Sequence, residues 1–98
     1  MRIVAIGSKP FITGFRLSGI KGIEVDSPQS LLREVESLLN RGDIGLIILD
    51  EGISKHVREQ IDKIRAEHAT PLIYELTSIG GKIEKIDYRN TLRRILGV

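Results

Sequence analysis

Apolar residues recur along this chain in two rhythms: short continuous runs and stripes at helical spacing. Ile3-Val4-Ala5-Ile6 is a β-branched run closed by Gly7 and predicts a buried strand. The run Asp43-Ile44-Gly45-Leu46-Ile47-Ile48-Leu49-Asp50 is longer and nearly unbroken, as expected of a parallel strand covered on both faces. Pro71-Leu72-Ile73-Tyr74-Glu75-Leu76 predicts a third strand with its proline confined to the first position. Gly22-Ile23-Glu24-Val25-Asp26 alternates over a short span and suits a sheet edge.

Helical stripes fill the intervals. Ser27-Pro28 supplies a capping hydroxyl followed by proline at the first helical position. Leu31, Leu32, Val35, Leu38 and Leu39 then form one apolar face, with Gly42 expected as the terminating glycine. A second helix is expected from Ile53 to His68, with Ile53, Val57, Ile61 and Ile64 inward and Lys55, Arg58, Glu59, Asp62 and Lys63 outward. Phe11 to Ser18 predicts a short helix weakened by Gly14, with Phe15 and Leu17 expected in the core. Asp87 is placed to cap a last helix in which Tyr88, Leu92, Ile95 and Leu96 share a face, ending at Gly97.

Alternating strands and helices imply an α/β fold: a small four-stranded, mostly parallel sheet flanked by helices, of receiver or Rossmann-like type. The expected organisation is an α/β domain over 1–77, a linker or irregular edge segment over 78–86 containing Gly80-Gly81, and a C-terminal helix over 87–98.

Composition narrows the function classes. The 98 residues contain no Cys, which removes disulfide frameworks, thiol catalysis and cysteine-based zinc sites. No apolar stretch approaches the roughly 20 residues of a spanning helix. The opening apolar run is too short for a signal peptide, so an intracellular protein without direct membrane insertion is expected. The formal charge of +2 is unevenly spread. Residues 82–98 hold five basic residues against two acidic ones, while the rest holds ten against eleven. A near-neutral body with a basic end does not predict nucleic-acid binding, which draws on many phosphate contacts.

Catalytic motifs are lacking. The first strand is followed by Gly7-Ser8-Lys9-Pro10, and neither a G-x-G-x-x-G nor a G-x-x-x-x-G-K-[ST] pattern occurs, so no nucleotide cofactor is expected. Receiver domains of response regulators offer an alternative, because Asp50 and Thr77 follow the third and fourth strands, where receivers carry their phosphoryl acceptor and a Thr or Ser. That chemistry needs oxygen ligands for Mg²⁺ after the first strand, where this chain has Gly7-Ser8-Lys9. Asp50 reads better as an acid at a helix start. His56 and His68 lie twelve residues apart and share no ligand face, and no metal site is expected.

The segment Gly14-Phe15-Arg16-Leu17-Ser18-Gly19-Ile20-Lys21 is a poor local choice for a stable helix and points to a packing, contact or turn role. Together with Arg2-Ile3-Val4-Ala5-Ile6-Gly7 it resembles the F subunit of the archaeal and vacuolar-type (V/A-type) ATP synthases, whose members open with a strand, a loop and a G-F-R-L-A-G-like segment; here Ser18 replaces the alanine. The likeness continues through Asp43 to Leu49, similar to the family's D-I-G-I-I-x-I strand, through Pro71 to Leu76, and into Leu96-Gly97-Val98. Thr77 stands where members commonly carry proline.

This resemblance implies a non-catalytic subunit of a proton- or sodium-translocating ATPase, on the central rotor stalk at the cytoplasmic face of the membrane. It implies binding to the coiled-coil D subunit, and coupling or regulation of ATP turnover in the ring of A and B subunits. Arg16 is then the expected docking anchor, and Arg89, Arg93 and Arg94 are expected contacts to an acidic surface.

Overall fold

The structure, a computed structural model, describes residues 2–77. The expected linker over 78–86 and helix over 87–98, with Arg89, Arg93 and Arg94, lie outside the described residues.

The four expected strands form at β1 (Arg2–Gly7), β2 (Lys21–Glu24), β3 (Ile44–Asp50) and β4 (Leu72–Leu76). They make one sheet in the order β2-β1-β3-β4, with every neighbouring pair parallel. The helices are α1 (Lys9–Leu17), α2 (Pro28–Leu39), α3 (Glu51–Ser54) and α4 (Arg58–Glu67), with a 3₁₀ turn over Lys55–Val57 between the last two. The first crossover steps from β1 to one side and the next two step to the other. Right-handed connections therefore put α1 on one face and α2, α3 and α4 on the opposite face.

Side-chain parity along the strands agrees. Val4, Ile6, Ile47, Leu49 and Ile73 pack in one core cluster with Leu31, Val35 and Leu38 of α2 and with Val57, Ile61 and Ile64. Ala5, Leu46 and Ile48 point the other way, against Phe11, Ile12 and Phe15 of α1. β3 is buried along nearly its whole length because both layers press on it, which accounts for its unbroken apolar run. β2 is a half-exposed edge strand, as its alternation predicts.

The start of α2 follows the sequence closely. Ser27 Oγ accepts from Ser30 N–H at 3.1 Å, and Ser30 Oγ accepts from Ser27 N–H at 3.2 Å, a reciprocal box that satisfies two otherwise unpaired donors.

Three expectations need correction. Gly42 does not terminate α2 in the left-handed conformation; the helix ends at Leu39 with Asn40 as a right-handed cap. That device sits at the end of α1 instead. Gly19 has φ +85°, and the N–H groups of Gly19 and Ile20 donate to the carbonyls of Arg16 and Phe15, a Schellman closure that favours glycine. The expected helix over Ile53–His68 starts earlier, at Glu51, and is interrupted. Asp50 caps its first turn, and the 3₁₀ turn reorients the chain at Val57, whose φ of −128° lies outside the helical range. The inward stripe survives the break, because Val57, Ile61 and Ile64 are all buried and Ile53 packs beside them. Finally, Leu17 is 70% exposed rather than in the core. It lies about 200° around the helix from buried Phe15, so it projects away from the sheet.

Candidate functional site

In open parallel α/β sheets, ligands bind beyond the carboxyl ends of the strands where the strand order reverses. Here that point lies between β1 and β3, at Gly7, Ser8 and Asp50. Asp50 is buried, and both its oxygens are engaged. Oδ2 accepts from Ser8 N–H at 3.2 Å and from Ser8 Oγ at 3.0 Å, while Oδ1 accepts from Gly52 N–H at 3.1 Å. A Cβ built on Gly7 would stand 2.5 Å from Asp50 Cβ and 2.6 Å from Phe11 Cδ1. Thr77, the other receiver-like position, donates to Glu51 Oε2 at 2.9 Å. The crevice is thus closed by its own side chains. Asp50 acts as a helix cap and a tie between β1 and β3, in keeping with its reading as a helix-start acid.

A second polar cluster braces β4. Glu75 shares the inward face of the strand with Ile73, yet its carboxylate is satisfied. Oε2 accepts from the buried Ser54 hydroxyl and from Arg58 at 3.4 Å, and Oε1 accepts from Arg65 at 3.2 Å. Burial pushes the Glu75 carboxyl up, but the Ser54 hydroxyl and the two guanidinium groups outweigh it and hold the group below the usual range. Sequence reasoning missed this cluster. The available signal was parity: a glutamate two residues from Ile73, on the same inward face of the strand, must find donors on the helix that covers it.

Arginines also cover the two edges of the sheet. Arg65 Nε donates to the Ile73 carbonyl on β4 at 3.2 Å. Arg16 donates from NH2 to the Gly22 carbonyl on β2 at 2.9 Å. Val25 N–H bonds back to Gly7 on β1, so by strand alternation the Gly22 backbone faces outward from the sheet. A guanidinium on an outward carbonyl blunts an edge that would otherwise invite another strand. Gly22 leaves the room for this, since a Cβ there would lie 3.2 Å from both Arg16 Cγ and Nε. Arg16, the expected docking anchor, therefore has a structural bond of its own, and its side chain lies exposed along β2.

At the opposite end of the sheet the register between β1 and β3 slips. Arg2 pairs with Ile44 and Ile3 with Leu46, so Gly45 is the extra residue of a bulge. Arg2 and Arg41 both reach the Asp43 carboxylate, at 3.6 and 3.0 Å. The Arg41 hydrogen bond is the main cause holding that carboxyl below its ordinary range. A hollow of about 270 Å³ opens beside them, with Arg2, Lys21 and Arg41 at its rim and Ile3 and Ile44 among its lining.

Comparison with known proteins fixes the context. A family model described as "ATP synthase (F/14-kDa) subunit" matches residues 3–94. This chain belongs to that family. The F subunit of the A-type ATP synthase of Methanococcus vannielii is 35% identical and aligns over 100% of this chain and 97% of its own length. The corresponding F subunit of Methanothermobacter thermautotrophicus is 30% identical over 98% of this chain and 92% of its own. A crystal structure of the V-type ATP synthase F subunit from Archaeoglobus fulgidus superposes with a TM-score of 0.60 at 28% identity, covering 76% of this chain and 95% of that one. The parallel four-stranded α/β architecture, expected from the alternation of strands and helices, is accordingly that of the F-subunit family. Among the described residues of this family member, no helix is long and apolar enough to cross a membrane.

Proposed function

We propose that this chain is a non-catalytic central-stalk component of a V/A-type ATP synthase. In this reading it binds the coiled-coil D subunit and couples or regulates ATP turnover in the ring of A and B subunits. Two relatives named as F subunits match this chain along essentially their whole length, and that observation carries the reading. The closed switch-point crevice supports it, because the place where this fold usually holds a ligand is filled by Ser8, Asp50 and the backbone at Gly7. The protein would work as a folded surface, located peripherally on the cytoplasmic face as part of the complex. Arg16, Arg89, Arg93 and Arg94 are its proposed partner contacts, with the basic segment over 82–98 directed to acidic surface on the ring.

Co-elution tests the reading directly. Mixed at micromolar concentration with its coiled-coil partner, the chain should emerge from gel filtration as one complex. Separate elution at low salt would refute the stalk assignment. Deleting residues 82–98 should leave a folded body and change the ATPase rate of the assembled complex.

A further inference from the structure

The hollow at the N-terminal ends of the strands differs from the clusters around Asp50 and Glu75. In those two clusters the charges close on one another: Glu75 is held by Ser54, Arg58 and Arg65, and Asp50 by Ser8 and Gly52. Around the hollow stand three cations, Arg2, Lys21 and Arg41, against the single carboxylate of Asp43. No hydrogen bond or ion pair within the described residues engages the Lys21 side chain. Arg2 and Arg41 share Asp43 while keeping 68% and 41% of their side chains exposed. The cationic excess therefore faces solvent.

The lining beneath that rim is apolar. Ile44 is 4% exposed, and Ile3 is partly buried against the core. At about 270 Å³ the space falls below the roughly 300–1,000 Å³ of small-molecule sites, and it suits side chains better than a cofactor. A concave apolar floor with a charged rim has the anatomy of a protein-binding surface, where the rim sets encounter rate and partner choice and the floor seats an anchor. A flat anionic surface such as a membrane would leave such a floor unused. The hollow is also continuous with the β2 edge: Lys21 precedes Gly22, whose carbonyl Arg16 holds.

We infer that the hollow lined by Arg2, Lys21 and Arg41 is the docking surface for an acidic segment of the stalk partner, whose apolar side chain seats on Ile3 and Ile44. The inference rests on the stalk reading above and specifies the end of the sheet that the partner meets. Asp43 acts within it as a local counterweight, holding Arg2 and Arg41 in place while reducing the charge the partner feels.

The test uses the full chain and the coiled-coil partner, with affinity measured at low and at physiological salt. A variant carrying Arg2→Gln, Lys21→Gln and Arg41→Gln should bind about tenfold more weakly at low salt and show a flatter salt dependence. Lys21→Gln, which breaks no ion pair within the described residues, should weaken binding about twofold to threefold with an unchanged melting temperature. Asp43→Asn should tighten binding at low salt, an opposite sign that a merely damaged fold does not produce. Lys9→Gln, at the far end of the sheet, is the control and should leave affinity unchanged. If the wild type binds and the triple variant binds equally well, the docking face is overturned while the stalk reading stands. If the wild type does not bind the partner at all, both fall. Binding of the wild type to anionic phospholipid vesicles, lost in the triple variant and without partner affinity, would replace the protein-docking inference with a membrane one.

Discussion

Where the strands end, Asp50 accepts from Ser8 and Gly52 on both oxygens and the backbone at Gly7 leaves no room for even a methyl group. Where they begin, Lys21 has no ion pair among the described residues, a bulge at Gly45 loosens the register, and a hollow stands open. The two ends thus differ both in backbone, with the bulge at one and the close approach at Gly7 at the other, and in how their charged side chains are paired. Open parallel sheets usually place ligands at the first of these ends. The described residues fill that end and leave a local excess of basic side chains at the other. On the stalk reading proposed above, a crevice that admits water and small molecules has no use, and closing it adds packing that holds β1 to β3.

The sharpest way to break this contrast is Gly7→Ala. The new methyl would meet the Cβ of Asp50 and the ring of Phe11, a fully buried side chain. Neither neighbour is the free end of a flexible chain, so β1, α1 or the Asp50 cap must shift. We expect a loss of about 3 kcal/mol, at the upper end for overpacking, with a fall in Tm of more than about 10 °C. A thermal melt by circular dichroism reads it. A variant melting with the wild type would show that the end is looser than the packing implies.

Legibility follows the same divide. The strands, the α2 capping box at Ser27 and the inward stripe through Ile61 and Ile64 are readable because they rest on local periodicity and turn chemistry. Asp50 is readable as a cap because its Gly52 partner is two residues away. What escapes depends on distance in the chain. The Ser8–Asp50 tie spans 42 positions, and the Ser54–Glu75 bond spans 21. Leu17 is misplaced when apolar character is weighed without its angle from Phe15. The terminating glycine falls to Gly42 rather than Gly19 because glycine after a helix looks alike in sequence whatever its φ. The hollow is invisible, since Arg2, Lys21 and Arg41 come from three separate segments and only the sheet brings them together. Arg16 stands out in sequence, but its bond to the Gly22 carbonyl depends on β2 being an edge.

A middle-sized effect separates charge that holds the fold from charge available to partners. Glu75→Gln keeps the shape but removes the charge that Ser54, Arg58 and Arg65 stabilise. The expected cost at neutral pH is about 1–2 kcal/mol. Because the folded-state carboxyl of Glu75 is held below its unfolded value, its contribution is fully present above the unfolded pKa of about 4.3 and is lost as pH falls through the folded pKa. Urea denaturation of wild type and variant at pH 6 and at pH 3 should show the gap narrowing in acid. A gap independent of pH would mean that Glu75 acts by packing rather than by charge. Affinity for the stalk partner should be unchanged, since the carboxylate faces α4 and not the hollow.

The smallest effect tests the open end itself. Gly42 lies between α2 and β3, next to Arg41, and a Cβ built on it meets nothing within 4 Å. Its φ is not positive, so alanine fits the backbone it already has. The substitution Gly42→Ala should then act mainly through the unfolded chain, which loses conformational freedom, and should stabilise the protein by about 0.4–1 kcal/mol. The same replacement at Gly7 and at Gly42 thus has opposite signs at the two ends of one sheet. A destabilised Gly42→Ala variant would indicate that the segment carrying Arg41 is held by packing, and the contrast would shrink to a difference in charge. If stability rises and partner affinity falls, the methyl has entered the docking surface without harming the fold, which separates a surface built for a partner from one that is merely unfilled.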